Sequence, residues 1–164
     1  MIARLHPIVL AKAQQLVRLA QAEGIRVLLT EGYRPPERQA DLLATGATAA
    51  KPGYSFHQYG LAFDLVPLDG LGRAWWEAPQ KMWLDLGRIG ESLGLSWGGR
   101  WTPTLKLPLG DRPHFEYHPG FTIQDLVSGA KQVGQLLLER PAIPATVFLL
   151  AALGAALLLL RRRS

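Results

Sequence analysis

Apolar residues recur at spacings of three and four near the start of the chain. The recurring positions are Val9, Ala13, Leu16, Val17 and Ala20. This period is typical of the buried face of an amphipathic helix, and Gly24 is placed where a helix would end. The apolar run before Lys12 is too short for the core of a cleavable signal peptide. We therefore predict that this first helix belongs to the folded domain.

The later apolar pattern predicts short strands alternating with helices and turns. Predicted strands occupy residues 25–30, 61–66 and 114–118, and predicted helices occupy residues 36–44 and 82–93. Glycine and proline mark the turns between them, and residues 45–55 are rich enough in Gly, Ala, Thr and Pro to form a loop. Helices grouped with short, turn-linked strands favour an α+β domain, with a small antiparallel sheet flanked by helices.

The end of the chain changes character sharply. Residues 141–160 contain no charged side chain, and twenty helical residues span roughly 30 Å, the thickness of the hydrocarbon core of a bilayer. A helix buried in a soluble protein is usually shorter and keeps a polar stripe. We predict a folded domain at 1–120, a connecting segment at 121–140, a transmembrane helix at 141–160 and a basic tail at 161–164.

The charge of the chain is concentrated in that tail. The 164 residues carry a net charge of +5, and three of the basic residues are Arg161, Arg162 and Arg163. The rest of the chain is nearly neutral and has neither a recognition-helix motif nor a base-stacking motif, so we expect no nucleic-acid binding. The absence of cysteine excludes disulfides, thiolate metal sites and a cysteine nucleophile.

Residues suited to metal chemistry concentrate in two segments, Ser55–Asp64 and Asp111–Glu116. His57, Asp64 and His114 offer imidazole nitrogens and a carboxylate, which suit zinc, and three protein ligands leave a fourth position for water. Because a straight strand would separate His57 from Asp64 by roughly 23 Å, the chain must turn between them, and Gly60 is where it can turn.

A second histidine pair is a poorer candidate for a shared metal. His114 and His118 lie on one face of the predicted strand, but roughly 13 Å apart. They would approach each other only on a helix, which the neighbouring prolines at 113 and 119 disfavour. We therefore interpret His118 as structural.

The motifs S-x-H-x-x-G-x-A-x-D, W-G-G-x-W and D-x-P-H-F-E occur here in that order. Residues 8–119 resemble the zinc peptidases of bacterial cell walls. These are the VanY-type D-Ala-D-Ala carboxypeptidases and the L-alanyl-D-glutamate endopeptidases, including phage endolysins, of the lysostaphin, D-Ala-D-Ala peptidase and hedgehog superfamily. The resemblance implies the fold of that superfamily.

The resemblance also implies roles for individual residues. Zinc would be held by His57, Asp64 and His114, and Asp111, three residues before the last ligand, would be the catalytic carboxylate that takes a proton from the attacking water. The family has a G-Y-R motif whose arginine is matched by Arg34. A fixed cation near the scissile carbonyl can stabilise the oxyanion of the tetrahedral intermediate.

Four further residues have open interpretations. Gln39 stands where the family often has glutamine, without an assigned role. Glu116 shares a strand face with His114 and either supports that ligand or pairs with a neighbouring strand. Trp97 and Trp101 are interpreted as a core aromatic and a rim aromatic rather than as platforms for sugars.

The function implied is zinc-dependent hydrolysis of a peptide bond in the peptidoglycan stem peptide, with L-Ala-D-Glu endopeptidases as the nearer resemblance. One alternative is a D-Ala-D-Ala carboxypeptidase. Another is a non-catalytic, membrane-tethered module that binds wall peptide. Asp111 favours an enzyme, because a binding module has little need of a carboxylate at that position.

The charges on the two sides of residues 141–160 favour opposite orientations in a membrane. Arg161–Arg163 favour a cytoplasmic C-terminus, which would place the enzyme on the side of the cell wall or periplasm. Lys131 and Arg140 flank the other end, and a domain of this size without a signal peptide is not easily translocated. We expect a single-pass membrane protein whose domain faces the wall.

Overall fold

The computed structural model describes residues 4–101, 110–118 and 120–134. In chain order the elements are α1 (Pro7–Ala22), β1 (Val27–Glu31), α2 (Pro36–Ala44), β2 (Ala62–Pro67), α3 (Gln80–Ser92), β3 (Ser96–Trp97), β4 (His114–Glu116) and α4 (Ile123–Val127). Among the described residues, the strands form a four-stranded sheet in the order β1-β2-β4-β3, with every neighbouring pair antiparallel. The predicted α+β class with a small antiparallel sheet is confirmed.

The two faces of the sheet have different chemistry because side chains alternate along each strand. Phe63 in β2 lies opposite Phe115 in β4, with the rings stacked at a centroid distance of 5.6 Å. Both rings are fully buried. Asp64 and His114, the next pair along, project from the other face. One face therefore belongs to the core, and the other is free to carry polar groups.

Helices α1 and α3 cover the core face. Their buried residues are Val9, Ala13, Leu16 and Ala20 in α1, and Trp83, Leu86, Gly87, Ile89 and Gly90 in α3. The period of three and four that predicted α1 is thus the period of its buried side chains. Trp97 in β3 is buried in this core, as predicted.

Two glycines let α3 lie directly against the aromatic rings of the sheet. A Cβ atom at Gly87 would overlap the ring of Trp97, and one at Gly90 would overlap the ring of Phe115. We expect Gly90→Ala to lower the free energy of unfolding by about 1–3 kcal/mol through overpacking, although alanine is the better helix former. Urea denaturation measures this change. Gly70→Ala is the control, since a Cβ there meets no atom within 4 Å; equal stability of both variants would contradict the packing argument.

The segment predicted to connect the domain to the membrane contains α4 in its described part. Phe121 and Leu126 are buried, and Thr122 and Asp125 form a capping box at the start of the helix. The chain divides into two units after Lys131, so α4 lies in the first of them. None of the helices in the described part of the chain is long and apolar enough to cross a bilayer. The predicted span at 141–160 lies outside the described residues.

Candidate active site

Three polar residues lie in one row across the sheet. Glu31 in β1 is opposite Asp64 in β2, and Asp64 is opposite His114 in β4. Opposite residues of antiparallel strands point to the same face. The polar face of the sheet thus brings together side chains that are far apart in sequence.

His57 reaches this row from a short 3₁₀ helix, Phe56–Tyr59, just before β2. Gly60 ends that helix in the left-handed conformation, with φ of 67°. A Cβ atom there would lie 2.8 Å from the carbonyl oxygen of Arg4, so glycine is needed both for the conformation and for the close approach. The turn predicted at Gly60 is confirmed, and it carries the chain from His57 back to Asp64.

The predicted ligand atoms form a nearly equilateral triangle. His57 Nε2 lies 3.3 Å from Asp64 Oδ1, His114 Nδ1 lies 3.1 Å from the same oxygen, and the two ring nitrogens are 3.1 Å apart. Ligands bound tetrahedrally to zinc at their usual distances are separated by roughly 3.3 Å. The donor set and its spacing therefore fit a zinc ion with one position left open.

The outer nitrogen of each histidine is held by an acceptor. His57 Nδ1 donates to the carbonyl oxygen of Gly32 at 2.7 Å, and His114 Nε2 donates to Glu116 Oε2 at 3.1 Å. Such bonds fix the ring orientation and direct the remaining nitrogen towards a metal. Glu116 therefore supports His114, one of its two predicted interpretations. His118 bonds to Glu116 Oε1 at 2.6 Å and lies outside the triangle, as predicted.

The histidine and the carboxylates of the cluster shift each other's pKa values strongly. Burial disfavours the charged form of His114, but hydrogen bonds to Asp64 and Glu116 outweigh burial and raise its pKa to about 10. Burial likewise raises the pKa of Asp64, and the bonds to His114 and His57 override it, so that this pKa lies far below its usual value. These shifts favour an ionised Asp64 carboxylate beside a protonated imidazole. A bound cation would take the place of that proton.

The triangle lies in the wall of a cavity of about 500 Å³ that Asp111 also lines. Burial raises the pKa of Asp111, opposed by the positive charges of nearby histidines. A raised pKa suits a carboxylate that must take up a proton. Its backbone N–H donates to the carbonyl oxygen of Gly98, and its own carbonyl oxygen accepts from the N–H of His114. These bonds tie Asp111 to the same turn as the third predicted ligand.

Three partly exposed aromatic residues also line the cavity. Trp101 is 41% exposed, with its ring centroid 5.0 Å from that of His114, in agreement with its prediction as a rim residue. Tyr54 and Trp76 line the same cavity and are about half exposed. Neither residue was predicted from the sequence, because isolated aromatic residues in loops have no periodic pattern.

Arg34 is buried beside the cluster with partners that the sequence did not indicate. Its Nη2 atom lies 2.6 Å from Glu31 Oε2 and 3.5 Å from Asp64 Oδ2, and its Nη1 atom donates to Gln39 Oε1 at 3.0 Å. The structure thus brings Arg34 to the predicted ligands and gives Gln39 a contact. Glu31 was missed, because nothing in its sequence position shows that it faces Asp64.

Known proteins with similar sequences are peptidases of the bacterial cell wall. Residues 48–117 match a family model described as D-alanyl-D-alanine carboxypeptidase. The peptidoglycan L-alanyl-D-glutamate endopeptidase CwlK of Bacillus subtilis is 34% identical over 129 residues, which are 70% of this chain and 74% of that protein.

Two solved structures have a similar fold. The L-Ala D-Glu endopeptidase ChiX of Serratia marcescens superposes with a TM-score of 0.57 at 22% identity, covering 71% of this chain and 82% of that one. The D,D-pentapeptidase VanY of a vancomycin resistance cassette, in complex with Zn(II), superposes with a TM-score of 0.50 at 22% identity, covering 75% and 83%. The fold described above is therefore shared with cell-wall peptidases of two cleavage specificities.

Proposed function

The chain belongs to the M15 peptidase family, and we propose that it is a zinc-dependent peptidase that cuts the L-alanyl-D-glutamate bond of the peptidoglycan stem peptide. The observation that carries the proposal is the triangle of His57, Asp64 and His114 at tetrahedral spacing, with Asp111 in the same cavity. The choice of bond follows the B. subtilis relative, since the chain spans about three quarters of that endopeptidase.

Each residue of the site has its own role in the proposed reaction. His57 Nε2, Asp64 Oδ1 and His114 Nδ1 would hold the zinc ion, which when bound supplies a Lewis acid that polarises a carbonyl group and acidifies water. Asp111 accepts a proton from the attacking water and returns it to the leaving amine. Glu116 and the carbonyl of Gly32 keep the two imidazoles oriented.

The role of Arg34 in stabilising the oxyanion stays a prediction. Its guanidinium lines the cavity next to Asp64, which is near enough for its charge to act on a substrate oxygen. Its bonds to Glu31 and Gln39, however, already engage both terminal nitrogens. Arg34 would therefore act on the substrate from a fixed position.

Digestion of purified peptidoglycan followed by mass spectrometry of the fragments tests the proposed activity. We expect peptides that begin with D-glutamate. Chelation should abolish their release and added zinc should restore it, because the residues of the site cannot activate water for the reaction without the ion that they hold. Release of D-alanine alone would indicate the carboxypeptidase suggested by the family model. Unchanged muropeptides would indicate the binding module, and hydrolysis by metal-free protein would overturn the zinc site.

We also propose that the chain is anchored by one transmembrane helix at 141–160, with the enzyme on the side of the wall. The uncharged segment and the arginines at 161–163 support this orientation. Protease added to intact spheroplasts should digest the domain before any lysis occurs. Complete protection until the membrane is permeabilised would overturn the outward orientation.

A further inference from the structure

Glu31 and Asp64 are two carboxylates placed directly opposite each other on β1 and β2. Like charges in this arrangement repel each other and destabilise a sheet. The guanidinium of Arg34 lies between them, 2.6 Å from Glu31 Oε2 and 3.5 Å from Asp64 Oδ2. The arginine thus converts a repulsive pair into a connected row of three charges.

A β-bulge produces this pairing. Leu29 is opposite Leu65, so a regular ladder would next place Thr30 opposite Asp64, but the register shifts and Glu31 takes that position. A bulge interrupts regular pairing and redirects a side chain, and bulges are over-represented next to active sites. Here its effect is to place a carboxylate, rather than a threonine, directly opposite Asp64.

Arg34 is fixed from a second side by Gln39. The glutamine is fully buried; it accepts from Arg34 Nη1 at 3.0 Å and donates to the carbonyl oxygen of Ala50 at 2.8 Å. The backbone N–H of Arg34 also donates to the carbonyl oxygen of His57. An arginine held at so many points has little freedom to move towards Asp64 or away from it.

The two oxygens of Asp64 have different partners. Oδ1 faces the two imidazole nitrogens, whereas Oδ2 faces the guanidinium. A carboxylate held in this way presents one oxygen to a metal ion. The positive charge of Arg34 would nevertheless repel that ion, and Glu31 offsets this charge at the same guanidinium.

We propose that Glu31 is a positioning residue of the metal centre, acting through Arg34 to hold Asp64 in its single-oxygen orientation and to offset the charge of the arginine. The inference rests on the proposed zinc site, but it does not depend on which peptide bond is cut. Glu31 lines the same cavity as the cluster, but both of its oxygens face arginines: Oε2 lies 2.6 Å from Arg34 Nη2, and Oε1 lies 3.9 Å from Arg38 Nε.

Glu31→Gln tests the proposal, since it removes the charge and keeps the size of the side chain. We expect zinc affinity, measured by competition with a chromophoric chelator, to fall by about 10- to 100-fold, the usual effect of losing an outer partner of a metal ligand. The visible absorption of the Co²⁺-loaded protein should change as well, because it reports ligand geometry. Glu91→Gln is the matched control: it removes another arginine partner, that of Arg100, at an exposed site. Wild-type affinity and absorption in Glu31→Gln would overturn the inference.

A double-mutant cycle tests whether the effect passes through Arg34. In an Arg34→Gln background, Glu31→Gln should cause no further loss of affinity; a full additional loss would show that Glu31 acts independently and would contradict the proposal. If Glu31→Gln does not fold, Glu31→Asp, which keeps the charge and shortens the reach, should still alter the Co²⁺ absorption, and an unaltered spectrum counts against the proposal.

Neither readout requires hydrolysis. A chain that binds Co²⁺ and responds to Glu31→Gln, yet releases no stem peptide, would retain this inference and lose the proposed function. A wild-type chain that takes up no Co²⁺ would overturn the inference itself.

Discussion

His57→Ala should remove zinc binding and hydrolysis together. The substitution deletes one corner of the triangle and leaves only Asp64 and His114, which are too few ligands for a zinc centre that normally has three protein ligands. Loss of the ion forfeits several kcal/mol of charge stabilisation in the transition state, which corresponds to at least ~10³-fold in rate. Elemental analysis of the purified variant and digestion of peptidoglycan measure the two losses.

His118→Ala is the control for this substitution. His118 is a partly exposed histidine that bonds to Glu116 but lies outside the triangle. We expect the control to retain about one zinc per chain and most of the activity. Because His57 is buried and bonded to Gly32, circular dichroism must show that the His57 variant is folded. A folded variant with a full complement of zinc would remove His57 from the ligand set.

The elements that position the metal ligands were predictable because their signals are local. The structure reproduces the predicted bounds of α2, Pro36–Ala44, since a proline at the first helical position is a strong start signal. The turn at Gly60 followed from distance alone, because two ligands seven residues apart cannot share an ion along a straight strand. The turn alone was enough to predict that His57 and Asp64 lie close together.

The surroundings of the ligands were not predictable, because they depend on pairing between strands. Strand β3 has only two residues, Ser96 and Trp97, too few for an alternating pattern. The bulge before Glu31 exists only as a register between β1 and β2. Gln39 had a recognised position but no role, since its partners are Arg34 and a carbonyl eleven residues further on. Contacts between distant segments leave no periodic trace in one sequence.

Glu116 was predictable in part: its position was clear from the sequence, but its partner was not. Its place two residues after His114 indicated a shared strand face. The sequence did not decide whether Glu116 supports His114 or pairs with a neighbouring strand. The structure separates them by one hydrogen bond, from His114 Nε2 to Glu116 Oε2 at 3.1 Å. This bond also decides what Glu116 can do in the reaction. A carboxylate whose two oxygens both accept from histidines, His114 and His118, is a weaker proton acceptor, because these bonds stabilise its charged form.

We therefore keep Asp111 as the proposed carboxylate for proton transfer. Asp111→Ala should retain zinc and reduce turnover by about 10²–10⁴-fold, the usual contribution of a general base. Asp111→Asn, which keeps the shape of the side chain, should lose a similar factor, because the loss follows the proton acceptor and not the packing. Initial rates on purified peptidoglycan and the zinc content of each variant measure the two quantities.

The matched control is Asp85→Ala, an aspartate whose partner is Lys81 on the exposed side of α3; its turnover should equal that of the wild type. If Asp111→Ala loses zinc as well as turnover, Asp111 supports the ligands instead of moving a proton. If it keeps wild-type turnover, the base lies elsewhere, and Glu116→Gln becomes the decisive variant. Retained zinc with lost turnover would show that Asp111 transfers a proton and does not bind the metal. The ion itself needs only the three proposed ligands, His57, Asp64 and His114.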